Sequence, residues 1–285
     1  MRAAIYIPTK DRPEMLGKCL EHWNQFGLPI YVVSESQHRK ETEPVVEEYG
    51  ASGLWLRASN RGLGYSMNVL DDHAKEQKLQ VYVKTDDDHS AEGNLDYFLE
   101  MAVRRDVLGV GAAKRIYGLY MRGTKLGDAI MKNRTGLFLH TGSVGYGTFA
   151  VNVFNSKRVG GFDPRIAFGE DSDFARRGIG WLGIPWYIYT GFKATPMALA
   201  HTLQGEGGGG HASLGNRNET MLRSWKVMFK EWPEYMTDPD GVTIEDDVRR
   251  KFRVKWRKMF DQFVDIESWP PENIQTREPW DWRGR

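Results

Sequence analysis

Three consecutive carboxylates, Asp86-Asp87-Asp88, follow the run Val81-Tyr-Val-Lys-Thr and precede His89. Acids crowded at the end of a buried strand repel one another and lose solvation, so they call for a cation or for hydrogen-bond donors. A divalent metal meets that need most simply. Asp86 and Asp88 are two residues apart and share one side if the backbone stays extended; hard oxygen ligands of this kind suit Mg2+ or Mn2+ bridging to a diphosphate. The competing reading is a solvated turn with helix-capping acids before Ala91 and Glu92. A second acidic group, Glu170, Asp171 and Asp173, closes the stretch Gly160-Gly-Phe-Asp-Pro-Arg-Ile-Ala-Phe-Gly-Glu-Asp-Ser-Asp-Phe174. Acids in a first helical turn are stabilised by the helix dipole. That accounts for their charge and leaves the glycine-bounded turns before them unexplained. A carboxylate at a helix start facing a crevice could instead act as a general base toward an acceptor hydroxyl.

The elements that must position these groups follow from periodicity. Ala3 to Ile7, Pro29 to Val33, Gly53 to Leu56 and Gln80 to Lys84 read as strands. Leu16, Cys19, Leu20, Trp23 and Phe26 recur at helical spacing, and Leu63 to Lys75 reads as a second helix. Further on, Leu95 to Val103 and Asp171 to Trp181 read as helices, and Val107 to Ala112, Thr148 to Phe154 and Trp186 to Thr190 as strands. Alternation of this kind predicts an α/β domain with a mainly parallel sheet flanked by helices. In such sheets ligands bind beyond the carboxyl ends of the strands, so the loops after Ile7, Val33 and Lys84 are expected to share one crevice. The organisation expected is a catalytic domain over residues 1–215 and a helical, basic and aromatic extension over 216–285.

With 39 Lys plus Arg against 38 Asp plus Glu among 285 residues, the net charge of +1 excludes a globally basic nucleic-acid coat, leaving only local patches for a polyanion. Cys19 alone permits no intrachain disulfide and no multi-cysteine zinc site. No stretch of about 18 apolar residues occurs, and the N-terminus leaves no room for a signal-peptide core, so no integral membrane segment and a cytoplasmic location are expected.

Four segments in order carry a family resemblance: Ile7-Pro-Thr-Lys-Asp-Arg-Pro13, Asn60-Arg-Gly-Leu-Gly-Tyr-Ser-Met-Asn68, Asp86-Asp-Asp88, and Gly161-Phe-Asp163 through Phe168-Gly-Glu-Asp-Ser-Asp-Phe174. Over about residues 3–175 the chain resembles nucleotide-sugar-dependent glycosyltransferases of the GT-A fold, particularly the inverting family 2. The resemblance implies a metal-dependent transfer from a nucleotide sugar, a UDP-sugar by general expectation, to an acceptor hydroxyl. It places Pro8, Thr9 and Arg12 beside the nucleotide, Glu35 at a base edge, and Asn60, Gly62 and Asn68 around the ribose and sugar. Asp86 and Asp87 would contact the donor, Asp88 and Asp86 would hold Mn2+ or Mg2+, Asp171 would be the base, and Glu170 would contact donor sugar or acceptor. His201, rather than His211, would supply a third metal ligand, and the glycine run Gly205 to Gly210 would close over the donor or serve as a plain linker. A nucleotide-sugar-binding module without turnover is the non-enzymatic alternative.

Two basic regions bear on the acceptor. Residues 249–258 hold seven Lys or Arg on a helical pattern with Phe252 and Trp256, and residues 114–134 hold Lys114, Arg115, Arg122, Lys125, Lys132 and Arg134 against the single acid Asp128. The safest reading of the former is a docked helix with a solvated outer face. Together the two would suit DNA gripped by its phosphates while a hydroxymethylated pyrimidine is presented to the site, as in phage DNA modification. A glycan or a lipid-linked acceptor is the alternative.

Overall fold

A computed structural model describes residues 1–57, 63–114, 125–140, 147–166 and 169–197, together with residues 223, 224 and 227, which are helical. The chain builds β1 (Ala3–Pro8), α1 (Pro13–Asn24), β2 (Ile30–Glu35), α2 (Arg39–Glu48), β3 (Ser52–Leu56), α3 (Leu63–Glu76), β4 (Val81–Thr85) and β5 (His89–Gly93). There follow α4 (Leu95–Ala102), β6 (Gly109–Ala113), α5 (Lys125–Met131), β7 (Leu137–His140), β8 (Thr148–Asn152), α6 (Val153–Val159), α7 (Glu170–Leu182) and β9 (Trp186–Pro196).

The strands form a nine-stranded sheet ordered β3-β2-β1-β4-β8-β6-β9-β5, with β7 on β9. β3, β2, β1 and β4 are mutually parallel, β8 runs against both of its neighbours, and β6 and β9 are parallel again. This is the mainly parallel α/β sheet that the alternation of the sequence predicts.

Period-two alternation divides the core in two. Along β1 and β4, Tyr6 and Tyr82 face one side of the sheet, against Met67 and Leu70 of α3, Val159 of α6 and Phe174 of α7. Ile5, Ile7, Val81 and Val83 face the other, against Leu16, Leu20 and Trp23 of α1 and Phe98 of α4. Helix α1 starts with Pro13 in its first turn, where a missing N–H costs nothing.

The structure differs from the sequence reading at several elements. Helix α2 was not expected: its Arg-Lys-Glu-Thr-Glu-Pro-Val-Val-Glu-Glu sequence buries only Thr42 and Val46 and contains Pro44. Strand β5, His-Ser-Ala-Glu-Gly, stands where the turn reading placed a helix start. The strand expected from Thr148 to Phe154 stops at Asn152, whose side chain accepts from Asn155 N at 3.0 Å and opens α6. β9 runs on past Thr190 to Pro196. Its first half pairs with β6 and β7, and its second half pairs with β5. No helix among the described residues is long and apolar enough to cross a membrane.

Candidate active site

The parallel register brings Pro8, Glu35 and Thr85 to one edge of the sheet. β8 enters antiparallel to β4 with Thr148 opposite Thr85, so Gly147 lies beside the residue that follows, and Asp86 N donates to Gly147 O at 2.9 Å. Asp86 to Asp88 is a tight turn, His89 N returning to Asp86 O at 3.2 Å. It is this turn, rather than an extended backbone, that brings Asp86 and Asp88 together.

Helix α1 braces the turn from behind. Cys19 Sγ donates to Asp86 O at 3.5 Å and His89 O at 3.6 Å, and Trp23 Nε1 donates to His89 O at 2.9 Å. Burial pushes the Cys19 thiol well up, and the nearby charges of Asp87 and Asp88 add to this. Cys19 is therefore expected to resist Ellman's reagent in the folded protein and to react fully only in denaturant. Stoichiometric labelling of the native protein would show that the brace is absent.

Asp87 is held in a clamp formed by the β1–α1 loop. Thr9 Oγ1 donates to it at 2.6 Å and Arg12 Nε at 3.1 Å, while Arg12 Nη2 makes a close ion pair with its other oxygen. Arg12 Nη1 also lies 3.4 Å from Asp88. The loop reaches this geometry with Asp11 at φ 47°, a left-handed conformation uncommon outside Gly, Asn and Asp. Burial pushes the Asp87 carboxyl up, to about 7, against the lowering pull of Arg12 and Thr9. Every one of these neighbours donates, which favours the ionised form. Arg12→Met would strand a buried carboxylate and is expected to cost about 3–5 kcal/mol in urea denaturation at pH 8. The deficit should shrink at pH 5, where Asp87 takes up a proton; equal losses at both pH values would contradict this account.

Asp86, Asp88 and His89 offer ligand atoms that all lie within 4.8 Å of one another. His89 Nδ1 contacts Asp88 Oδ1 at 2.7 Å. Burial opposes the charge on Asp88, but the hydrogen bond from His89 and the charge of Arg12 help hold its carboxyl below the usual range. In the neutral imidazole, a proton on Nδ1 shared with ionised Asp88 leaves the lone pair on Nε2. That Nε2 is buried and has no hydrogen-bond partner. Beside it Gly147 leaves a cradle: a Cβ there would lie 2.7 Å from Nε2 and collide with Asp86 Oδ2. An orphaned imidazole nitrogen, a carboxylate oxygen and a space kept clear by glycine fit a divalent cation, with Asp88 orienting the imidazole from behind.

The other Asp86 oxygen, Oδ1, pairs closely with Lys84 Nζ, which also lies 3.5 Å from Gly147 O. Burial opposes charge on Asp86 too, yet Lys84 first, with Lys114 adding, more than offsets it and holds the carboxyl far below its ordinary value. Beyond Lys84, Glu170 and Asp171 begin α7, each 8% exposed. Burial first, then the charge of Asp171, pushes the Glu170 carboxyl up. Asp171 Oδ1 accepts from Ser172 N at 2.7 Å.

The structure thus gathers Thr9, Arg12, Asp86, Asp87, Asp88, Glu170 and Asp171 around one edge, with Pro8 and Glu35 ending β1 and β2. Glu35 accepts from Gln37 Nε2 at 2.9 Å and lies 4.0 Å from Lys10. Asn68 uses its whole amide to hold Phe162, donating to its O and accepting from its N, both at 2.7 Å. It thereby fixes the Gly161–Asp163 loop that precedes α7. Asn60, Gly62, His201, His211, Gly205 to Gly210 and the basic run 249–258 lie outside the described residues. Of the basic stretch 114–134, Lys125, Lys132 and Arg134 are exposed. Lys114 is not part of that surface: it is 7% exposed and turned in among Asp86, Lys84 and Asp88, where burial, with Lys84 adding, pushes its ammonium down. His89, Lys84 and Gly147 were not among the residues singled out from sequence. The signal for His89 was its position immediately after the acids, whereas the sequence reading named His201, far downstream, as a third ligand.

The sequence matches no protein-family model and no curated protein. Among solved structures, GalNAc-T7 with UDP, GalNAc and Mn2+ is similar at TM-score 0.57 and 12% identity, covering 92% of this chain and 55% of that one. The chain has a GT-A fold. S. aureus TarS 1-349 in complex with UDP (TM-score 0.46, 10% identity, 91% of this chain and 90% of that one) and the inositol-1-phosphate CTP transferase from T. maritima (0.43, 12%, 79% and 96%) also match. The chain spans about half the length of the GalNAc-T7 chain. Buried Lys84 feels the charge of both the acidic turn after β4 and the acidic start of α7.

Proposed function

We propose that this GT-A protein transfers a sugar from a nucleoside-diphosphate sugar, with UDP as the nucleotide, to an acceptor hydroxyl with inversion at the anomeric carbon. The observation that carries the reading is the meeting, at one sheet edge, of the Asp86–Asp88–His89 cluster and the buried Glu170–Asp171 pair. The UDP, GalNAc and Mn2+ in the similar GalNAc-T7 structure support the donor and the ion. Asp86 and His89, steadied by Asp88, would hold Mn2+ or Mg2+. When bound, the ion supplies positive charge to the departing diphosphate. Pro8, Thr9 and Arg12 line the nucleotide, with Asp87 fixing the last two, and Glu35 reaches the base edge. By the family resemblance Asn60 and Gly62 would contribute to the sugar pocket, and His201 is a further candidate ligand.

Asp171 takes the proton of the acceptor hydroxyl as its oxygen attacks. Glu170, kept protonated by burial and by its charged neighbour, donates a hydrogen bond instead of competing for that proton. Deprotonation on one face and charge neutralisation on the other favour a single displacement.

For the acceptor, a hydroxymethylated pyrimidine in DNA is the class to try first, supported by exposed Lys125, Lys132 and Arg134 and by the basic run 249–258. Incubation of the full chain with UDP-sugars and Mn2+, with hydroxymethylated DNA and glycan acceptors in parallel, tests both halves. UDP release with sugar appearing on an acceptor is the expected result. Pyrophosphate release would instead mean nucleotidyl transfer on the same fold, and transfer to glycan alone would remove the DNA acceptor.

A further inference from the structure

Lys84 stands between the two acidic groups of the site. It projects from β4 on the same face as Tyr82, is 3% exposed, and carries its ammonium over the Phe149 ring at 5.5 Å. Its closest partner is Asp86 Oδ1, and its charge also acts on Glu170 and Asp171. Asp86 therefore presents one oxygen to an internal ammonium and the other to the cradle beside Gly147 and His89 Nε2.

We infer that Lys84 is a built-in counter-ion that competes with the divalent cation for Asp86, so that metal is held weakly until a nucleoside diphosphate joins it. A cation entering the cradle shares the Asp86 carboxylate with an ammonium that burial prevents from leaving, and the two positive charges repel at short range in a poorly screened site. Lys114, buried in the same group, adds to that repulsion. The anionic diphosphate of the donor reverses the balance, because it attracts both the ion and Lys84. Metal and donor then bind as a pair, which discourages an idle metal from remaining in the empty site. The inference rests on the metal reading above and deepens it.

The test measures Mn2+ binding to the full chain by the electron paramagnetic resonance of free Mn2+, together with thermal melting, with and without UDP. Lys84→Met is expected to bind Mn2+ roughly tenfold or more tightly in the absence of nucleotide. It should melt lower than wild type without metal and gain more on saturation, because its acids then depend on the ion. Lys84→Arg, which keeps the charge, should resemble wild type. UDP should strengthen Mn2+ binding more in wild type than in Lys84→Met. Unchanged or weaker Mn2+ binding in a folded Lys84→Met protein would overturn the inference while leaving the metal site standing. If circular dichroism shows that the Met variant does not fold, Lys84→Gln carries the same expectation. Failure of wild type and variants alike to bind Mn2+ would overturn the metal reading and this inference with it.

Discussion

Asp171→Asn is expected to lower the rate of sugar transfer by about 10²–10⁴ while leaving the affinity for UDP unchanged. Asparagine matches aspartate in size and can still accept the 2.7 Å hydrogen bond from Ser172 N, so the start of α7 keeps its shape and only the basic oxygen is lost. Glu170→Gln provides the contrast. Glu170 is the member of the pair that burial and Asp171 drive toward its neutral form, so an amide in its place costs little as a base substitute. Its effect should fall on KM for donor or acceptor rather than on the pH dependence of kcat. The measurement is initial-rate kinetics of UDP release with acceptor present, alongside UDP binding by calorimetry. A normal rate in Asp171→Asn, or a larger loss of kcat in Glu170→Gln, would reverse the roles of the two acids.

His89→Ala is expected to abolish Mn2+ binding at concentrations that saturate wild type, a loss of about a hundredfold or more in affinity, because it removes the buried, unpartnered imidazole nitrogen beside the cradle. Asp88→Asn should be milder, on the order of 10–100-fold, since Asp88 acts on the imidazole through the 2.7 Å contact to Nδ1. Gly147→Ala sharpens the comparison. It removes no ligand, yet its methyl group would occupy the cradle beside Asp86 Oδ2 and His89 Nε2, and it should match His89→Ala in metal binding. Equilibrium dialysis with Mn2+ reads all three. Tight binding by Gly147→Ala would move the ion away from this cradle, and a greater loss in Asp88→Asn than in His89→Ala would make Asp88 the principal ligand.

Much of this was legible from the chain because the parallel half of the sheet is written in apolar alternation. Ala3 to Ile7 and Val81 to Lys84 bury side chains on both faces, and β-branched and aromatic residues make up most of them. The acids at their ends announced the crevice edge. What was not legible depended on partners distant in sequence. β5 has no strand character of its own and exists because residues 192–196 of β9 pair with it. α2 shows two buried residues and a proline, too little for a helical stripe. Asn152 looked like one more strand residue because its cap, and its donation to Ala102 O and Arg104 O, lie in the fold rather than the local pattern. Lys114 read as part of a basic surface because burial cannot be seen in a run of lysine, glycine and arginine. Gly147 carries no sequence signal beyond being a glycine, since its value lies in the absence of a side chain beside His89.

The placement of β8 has a consequence for the order in which the molecule can be assembled. β3, β2, β1 and β4 lie within residues 3–85 and, apart from the outer edge of β4, pair with one another, so they can form while the chain is still being made. The free edge of β4 must then wait for residues 148–152, more than sixty positions later, and β5 waits longer still for β9. Contacts of such separation form slowly, and an unpaired strand edge invites pairing with other chains. During synthesis the vulnerable interval runs from the completion of Thr85 to the arrival of Thr148. The strand that ends the danger is the same one that delivers Gly147 to the acidic turn, so the crevice takes shape only when the sheet is closed through its centre.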